Sequence, residues 1–182
     1  MKQRINRAIK GDQEAFVQLI QEHTQGMYKV ARSILGNEED VADAMQDTIV
    51  ACYEKIGTLK KPQYFKTWLT RILFNNCNDI LRTKKREWVG ETYVENMHST
   101  TDMAHVEFTQ MLQALDEKYR LIIMLYYVQE FRVKEIAELL QMSVSTVKTR
   151  LARGRKALEK MYEIDKKEEK HIDQTMLLNM HL

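Results

Sequence analysis

Turn-forming residues are scarce: the 182 residues include one proline and six glycines. Sandwiches and barrels reverse direction often, so this scarcity excludes them and favours long helices. Cysteine is nearly absent too. Cys52 and Cys77 lie 25 positions apart in apolar helical stretches, which gives neither a disulfide framework nor a CxxC ligand pair. That usage predicts a reducing compartment and two buried thiols. No stretch approaches the roughly 18 apolar residues of a membrane span, and Met1-Lys2-Gln3-Arg4 leads into charge rather than an apolar signal core. A soluble, cytoplasmic protein is expected. Signatures of catalysis are missing as well: there is no P-loop, no GxGxxG after a strand and no HExxH helix. His98, Asp102 and His105 are close in sequence, but they fall in and just after a loop-like stretch where surface histidines are common. The expectation is no catalytic residue, no metal, no cofactor and no small-molecule substrate.

What the chain does contain is apolar and charged in helical order. Hydrophobic residues make up 44% and charged residues 30%, enough for one ordinary domain or two small ones. The net charge of +2 hides an uneven distribution. Residues 1–86 carry 15 basic and 10 acidic side chains, 87–102 carry 0 and 4, 103–163 carry 10 and 8, and 164–182 carry 3 and 4. Two basic blocks therefore flank an acidic connector.

The spacing of apolar residues predicts an all-α protein. Asp12 can cap a helix bearing Phe16, Leu19, Ile20, Met27, Ala31 and Ile34, which ends at Gly36-Asn37. A second helix starts in Glu38-Glu39-Asp40, acids that suit the positive end of a helix dipole, and runs to Ile56. A loop from Thr58 to Gln63 precedes a third helix with Phe65, Trp68, Leu69, Ile72, Ile80 and Leu81, fading into Arg82-Thr83-Lys84-Lys85-Arg86. Residues 87–101 lose the period and collect Gly90, Asn96, Ser99, Thr100 and Thr101, the composition of a mobile linker. Shorter helices follow over Met103–Leu115, Tyr119–Tyr127 and Val133–Leu140, then a long one from Val144 to about Met161. The tail after Ile164, charged and then apolar from Met176 to Leu182, receives no role.

The stretch from Val133 to Lys148 has the layout of a helix-turn-helix. Ala137 is small where the helices cross, Ile136, Leu140, Met142 and Val147 fill the angle between them, and Ser143 can cap the second helix. Gln141 stands at the turn position that suits glycine. On the wheel of the last helix, Val147, Leu151, Gly154, Leu158 and Met161 share the core side. Ser145, Thr149, Ala152, Arg153 and Lys156 lie opposite, with Lys148 and Arg155 at one edge and Arg150 at the other. Residues 141–160 hold six basic side chains and one acidic, a surface able to fork onto guanine edges and grip phosphates. The bland reading is a solvated basic face, but turn, small residue and charge agree at fixed offsets.

A helix-turn-helix alone fits a stand-alone regulator just as well. The run Glu39-Asp40-Val41-Ala42-Asp43-Ala44-Met45-Gln46-Asp47-Thr48, followed by Tyr64-Phe65-Lys66-Thr67-Trp68-Leu69-Thr70-Arg71-Ile72-Leu73-Phe74-Asn75, resembles the second conserved domain of ECF-type sigma factors. Ser145-Thr146-Val147-Lys148-Thr149-Arg150-Leu151-Ala152-Arg153-Gly154-Arg155 resembles their fourth. The resemblance covers about residues 8 to 162.

It implies two small helical domains: 1–86, a region 2-like bundle; 87–102, a linker; and 103–163, a region 4-like helix-turn-helix domain, with 164–182 outside. It implies a transcription initiation factor that brings core RNA polymerase to promoter DNA. Asp40, Asp43, Gln46 and Asp47 would bind polymerase. Lys60, Lys61, Tyr64, Lys66, Trp68, Arg71, Asn75 and Arg82 would take the non-template strand of the −10 element, with Asn75 near a flipped base. Ser145, Thr146, Lys148, Thr149, Arg150, Arg153, Arg155 and Lys156 would read the −35 element. An anti-sigma protein, often membrane-anchored in such families, is the implied regulator. From the residues themselves, Phe65 and Trp68 lie on the apolar stripe and read as core, while Tyr64 is the freer aromatic.

Overall fold

A computed structural model describes residues 1–87, 112 and 114–179, with side chains through 86, at 112 and over 114–163. All regular structure among the described residues is helical. The helices are α1 (Lys2–Ile9), α2 (Gln13–Ile34), α3 (Glu38–Lys55), α4 (Phe65–Glu87), α5 (Glu117–Ile123), α6 (Val133–Leu139) and α7 (Val144–Asn179). Two 3₁₀ turns, Ile56–Thr58 and Pro62–Tyr64, join α3 to α4. The expected linker and most of the expected Met103–Leu115 helix lie outside the described residues, as do His98, Asp102 and His105.

Local chemistry sets the helix starts. Asp12 accepts from Ala15 N at 2.9 Å, and Asn37 accepts from Asp40 N at 2.8 Å, so each side chain satisfies an amide that the helix itself leaves open. Asp116 does the same for Lys118 N at 3.1 Å. Helix α1 was not anticipated: Ile5 and Ala8 are buried but Ile9 only half so, a stripe too short to stand out in sequence. Helix α7 runs on to Asn179, eighteen residues past the expected end near Met161.

Helices α1 to α4 pack as a bundle in which α3 and α4 make the most extensive pairing. Their seam holds a polar bridge. Asn76 Nδ2 donates to Thr48 Oγ1 at 2.9 Å, and Thr48 Oγ1 donates to Ala44 O at 2.6 Å. Thr48 is fully buried, so these bonds satisfy groups that would otherwise destabilise the seam. Cys52 and Cys77 are both buried, and burial pushes each thiol up to about 12, which leaves them protonated and unreactive.

After Ile123 the chain widens into a π turn, Met124–Val128, with Gln129 N donating to Met124 O at 3.0 Å. The extra residue per turn shifts the helical phase. Tyr126 and Tyr127 face solvent, edge to face at 4.9 Å, while Gln129 turns inward to 8% exposure. Helix α2 packs on α5 and this turn, and α4 on α6. The buried side chains of both modules form one continuous cluster.

Two residues without glycine's freedom occupy left-handed backbone: Glu130 at φ 55° and Gln141 at φ 53°. A left-handed conformation costs an ordinary residue about 1–2 kcal/mol, partly offset by glycine's greater entropy loss. Gln141→Gly should therefore raise stability by about 0.5–1 kcal/mol, read as a higher denaturation midpoint with an unchanged denaturant slope. A lower midpoint would show that the Gln141 side chain contributes more than the strain removes.

His23 gives a pH prediction. Its Nδ1 donates to Leu19 O at 2.8 Å, and its ring stands edge to face on Phe65 at 5.2 Å. Burial, and secondarily the Lys66 charge, holds its pKa below the ordinary 6.5 against the opposing pull of the Leu19 carbonyl. The unfolded chain then binds a proton that the folded chain resists. Stability from this source is complete above pH 6.5 and declines as pH falls below it. His23→Gln should flatten the stability slope between pH 7 and 5.5, and equal slopes in the two proteins would refute this assignment.

Candidate nucleic-acid interface

The helix-turn-helix is built as its residues require. Ile136, Ala137, Leu140 and Val147 are buried and Met142 is half-buried. Met142 N donates to Ala137 O at 2.9 Å across the turn. Ser143 Oγ accepts from Thr146 N at 3.1 Å and lies 2.8 Å from both Ser145 Oγ and Thr146 Oγ1, capping the start of α7.

Helix α7 is fixed in rotation by its buried side. Val147 and Leu151 are 0% and 4% exposed. Gly154 crosses α5 so closely that an added Cβ would stand 3.0 Å from Ile123 Cγ1 and 3.3 Å from Tyr119 Cβ. The opposite side is thereby turned outward. Ser145, Lys148, Thr149, Arg153, Arg155 and Lys156 are exposed, and Thr146 and Arg150 are half-buried. Among the described residues no carboxylate pairs with Lys148, Arg153, Arg155 or Lys156, so their charge is available to an anion.

The second group of predicted residues follows α4 and the turn before it. Lys60, Lys61, Tyr64, Arg71, Asn75 and Arg82 are exposed, with Tyr64 at 47% and Lys61 Nζ 6.0 Å from its ring. Phe65 is 1% exposed and belongs to the core. Trp68 is half-buried, its ring 6.0 Å from that of Phe65. Arg82 pairs with Asp79 at 3.2 Å. Lys66 is half-buried and occupied, its Nζ donating to Gln129 O at 2.5 Å and lying 5.3 Å from the centre of the Phe131 ring.

On α3, the acidic group divides. Asp43, Gln46 and Asp47 are exposed. Asp40 is not: its side chain is 11% exposed, and its Oδ2 takes Lys84 Nζ at 2.7 Å and Asn37 Nδ2 at 2.9 Å. Asp40 ties the start of α3 to the end of α4. Beside the exposed group lies an open cavity of about 410 Å³ lined by Tyr28, Val41, Met45, Ile49 and Val50, which the sequence reading did not single out. Met45 and Ile49 were legible as apolar, but not as half-exposed.

Comparison with known proteins decides the kinship. Residues 19–87 match the family model for Sigma-70 region 2, and residues 105–158 match that for Sigma-70 region 4. The chain is 31% identical over 178 residues to the ECF RNA polymerase sigma factor SigW of Bacillus subtilis, an alignment covering 88% of this chain and 95% of that one. The chain belongs to the ECF-type RNA polymerase sigma factors. As such it is a transcription initiation factor that directs RNA polymerase to promoters, and a stand-alone helix-turn-helix regulator is not favoured. In structure it is similar to CnrH, solved in complex with the cytosolic domain of CnrY: the TM-score is 0.65 at 29% identity, covering 90% of this chain and 97% of that one. RpoE from Bartonella quintana, solved with the anti-sigma factor NepR, shares the fold at a TM-score of 0.68 and 22% identity, covering 82% of this chain and 98% of that one. No helix among the described residues is long and apolar enough to cross a membrane.

Proposed function

We propose that this sigma factor divides its work between the bundle, residues 1–86, and the helix-turn-helix domain, residues 103–163, joined by a linker over 87–102. The bundle docks on core polymerase through Asp43, Gln46 and Asp47, with the apolar cavity beside them receiving part of the partner. Asp40 anchors the helix that carries them. The rim of α4 then takes the −10 strand: Lys60, Lys61, Lys66, Arg71 and Arg82 contact phosphates, Tyr64 stacks, Trp68 backs the site and Asn75 pairs with an extruded base. The outer face of α7 reads the −35 element in the major groove through Ser145, Thr146, Lys148, Thr149, Arg150, Arg153, Arg155 and Lys156. The factor acts in the cytoplasm, catalyses nothing and needs no cofactor, since opened strands captured by binding supply the energy of melting. A protein regulator covers these surfaces, an anti-sigma factor of the often membrane-anchored kind that the family resemblance implies. CnrH, to which the chain is similar, was solved bound to a second protein.

The observation that carries the reading is the exposed basic face of α7, whose Lys148, Arg153, Arg155 and Lys156 have no carboxylate partner among the described residues, on the side opposite Val147, Leu151 and Gly154. Run-off transcription with core polymerase on genomic fragments tests it as a whole, and failure to confer start-site selection would sink it. Arg153→Ala should weaken promoter binding by about 1–3 kcal/mol and relax preference at one −35 base pair. An unchanged footprint and preference would remove Arg153 from the site. Asn75→Ala should reduce open-complex formation about tenfold while duplex −35 binding survives. Equal loss of both would point to general unfolding.

A further inference from the structure

Gln129 is a buried amide, 8% exposed, whose side chain reaches out of its own module. Its Nε2 donates to Gly26 O in the middle of α2 at 3.1 Å, and its own carbonyl accepts Lys66 Nζ from α4 at 2.5 Å. The seat is shaped by the missing side chain of Gly26: a Cβ there would stand 3.0 Å from Gln129 Oε1 and 3.1 Å from Nε2. Glycine weakens a helix interior, and close approach by a neighbour is a physical reason to find one here. A second contact lies further along α4, where Arg71 Nη2 donates to Glu138 O of α6 at 3.4 Å. Between these contacts and the end of α6 is a polar cavity of about 450 Å³, with Asn75 and Arg82 on one wall and Leu140 and Gln141 on the other.

We infer that Gln129, seated on Gly26 and held by Lys66, is a latch that keeps the free chain closed with the −10 face of α4 turned against the helix-turn-helix module. The inference rests on the strand-capture reading of α4 given above. Lys66 and Arg71 spend donors on backbone carbonyls of the other module, and Asn75 faces a gap walled by it. A captured strand and the closed module therefore compete for the same side chains. The basic face of α7 points elsewhere and stays open in the closed state, so duplex contact does not require release. Any ligand that takes α4 draws the chain open, and by linkage opening raises apparent affinity for that ligand.

The test uses the full chain with Gly26→Gln, which fills the seat while strengthening α2 as a helix, and with Gln129→Ala, which removes the latch amide. Small-angle scattering should show a larger radius of gyration for both variants than for the unaltered protein. Single-stranded DNA of random sequence should bind both variants tighter, on the order of fivefold, while random duplex binds all three equally. An unaltered protein already as extended as its variants overturns the latch. Variants that open without gaining single-strand affinity, and in which a further Asn75→Ala changes nothing, sink the strand-capture reading and the competition with it, while the closed contact itself stands.

Discussion

The crossing of α7 over α5 at Gly154 is the contact on which the functional surface depends. With Ile123 and Tyr119 nearer than a Cβ at position 154 would comfortably allow, α7 has one rotational setting, reinforced by Val147 and Leu151 beneath it. Long basic side chains are flexible, but their Cα positions are not. Side chains held on a helix this tightly seated arrive at a groove with their spacing already fixed, which reduces the entropy lost on binding. The Ser143 cap and the strained Gln141 turn serve the same end by setting where α7 begins.

The N-terminal bundle solves a related problem with polar groups. Helices α3 and α4 carry the proposed polymerase and strand surfaces on one scaffold, and their mutual position depends on the Asn76–Thr48 bridge at one level and the Lys84–Asp40 pair at another. In the first, Thr48 is fully buried, and removing its partner would leave an unsatisfied group worth about 1–3 kcal/mol. The second is more exposed on the lysine side, and its worth is smaller because solvent screens it. The buried bridge thus sets the geometry, and the ion pair tunes the helix ends.

Much of this was legible in the residues because it rests on period and capping. The Asp12 and Ser143 caps, the core stripe of α7, the burial of Phe65 and both thiols are consequences of spacing alone. Other features left no periodic trace. The π turn at Met124–Val128 moves Gln129 inward by inserting a residue into a helix whose sequence reads as regular. Asp40 looked like its acidic neighbours, and only the position of Lys84, 44 residues later, takes it out of solvent. Gly26 has an ordinary place in an amphipathic helix, and its reason appears only when a side chain from the other module is laid against it. Contacts between modules are invisible to any reading that treats each helix alone.

The latch is weak by construction, and weakness is what its role requires. A neutral amide bond contributes about 0.5–1.5 kcal/mol net, and a bond from a charged donor about 1.5–3 kcal/mol. Among the bonds described between the modules, the Gln129 bond to Gly26 is neutral, and those from Lys66 and Arg71 end on carbonyls rather than carboxylates. A phosphate offers the same two cations a full negative charge, so exchanging a carbonyl for a strand strengthens each interaction instead of merely replacing it. The closed state therefore yields to nucleic acid presented on polymerase, where both modules are engaged together, and persists when only scattered, weaker acceptors are present. Because Lys66 binds the main-chain carbonyl of Gln129 and the Gln129 side chain donates to Gly26 O, a carboxylate at 129 would set acceptor against acceptor at Gly26; the neutral amide is a side chain that can close this contact while leaving it weak enough to open.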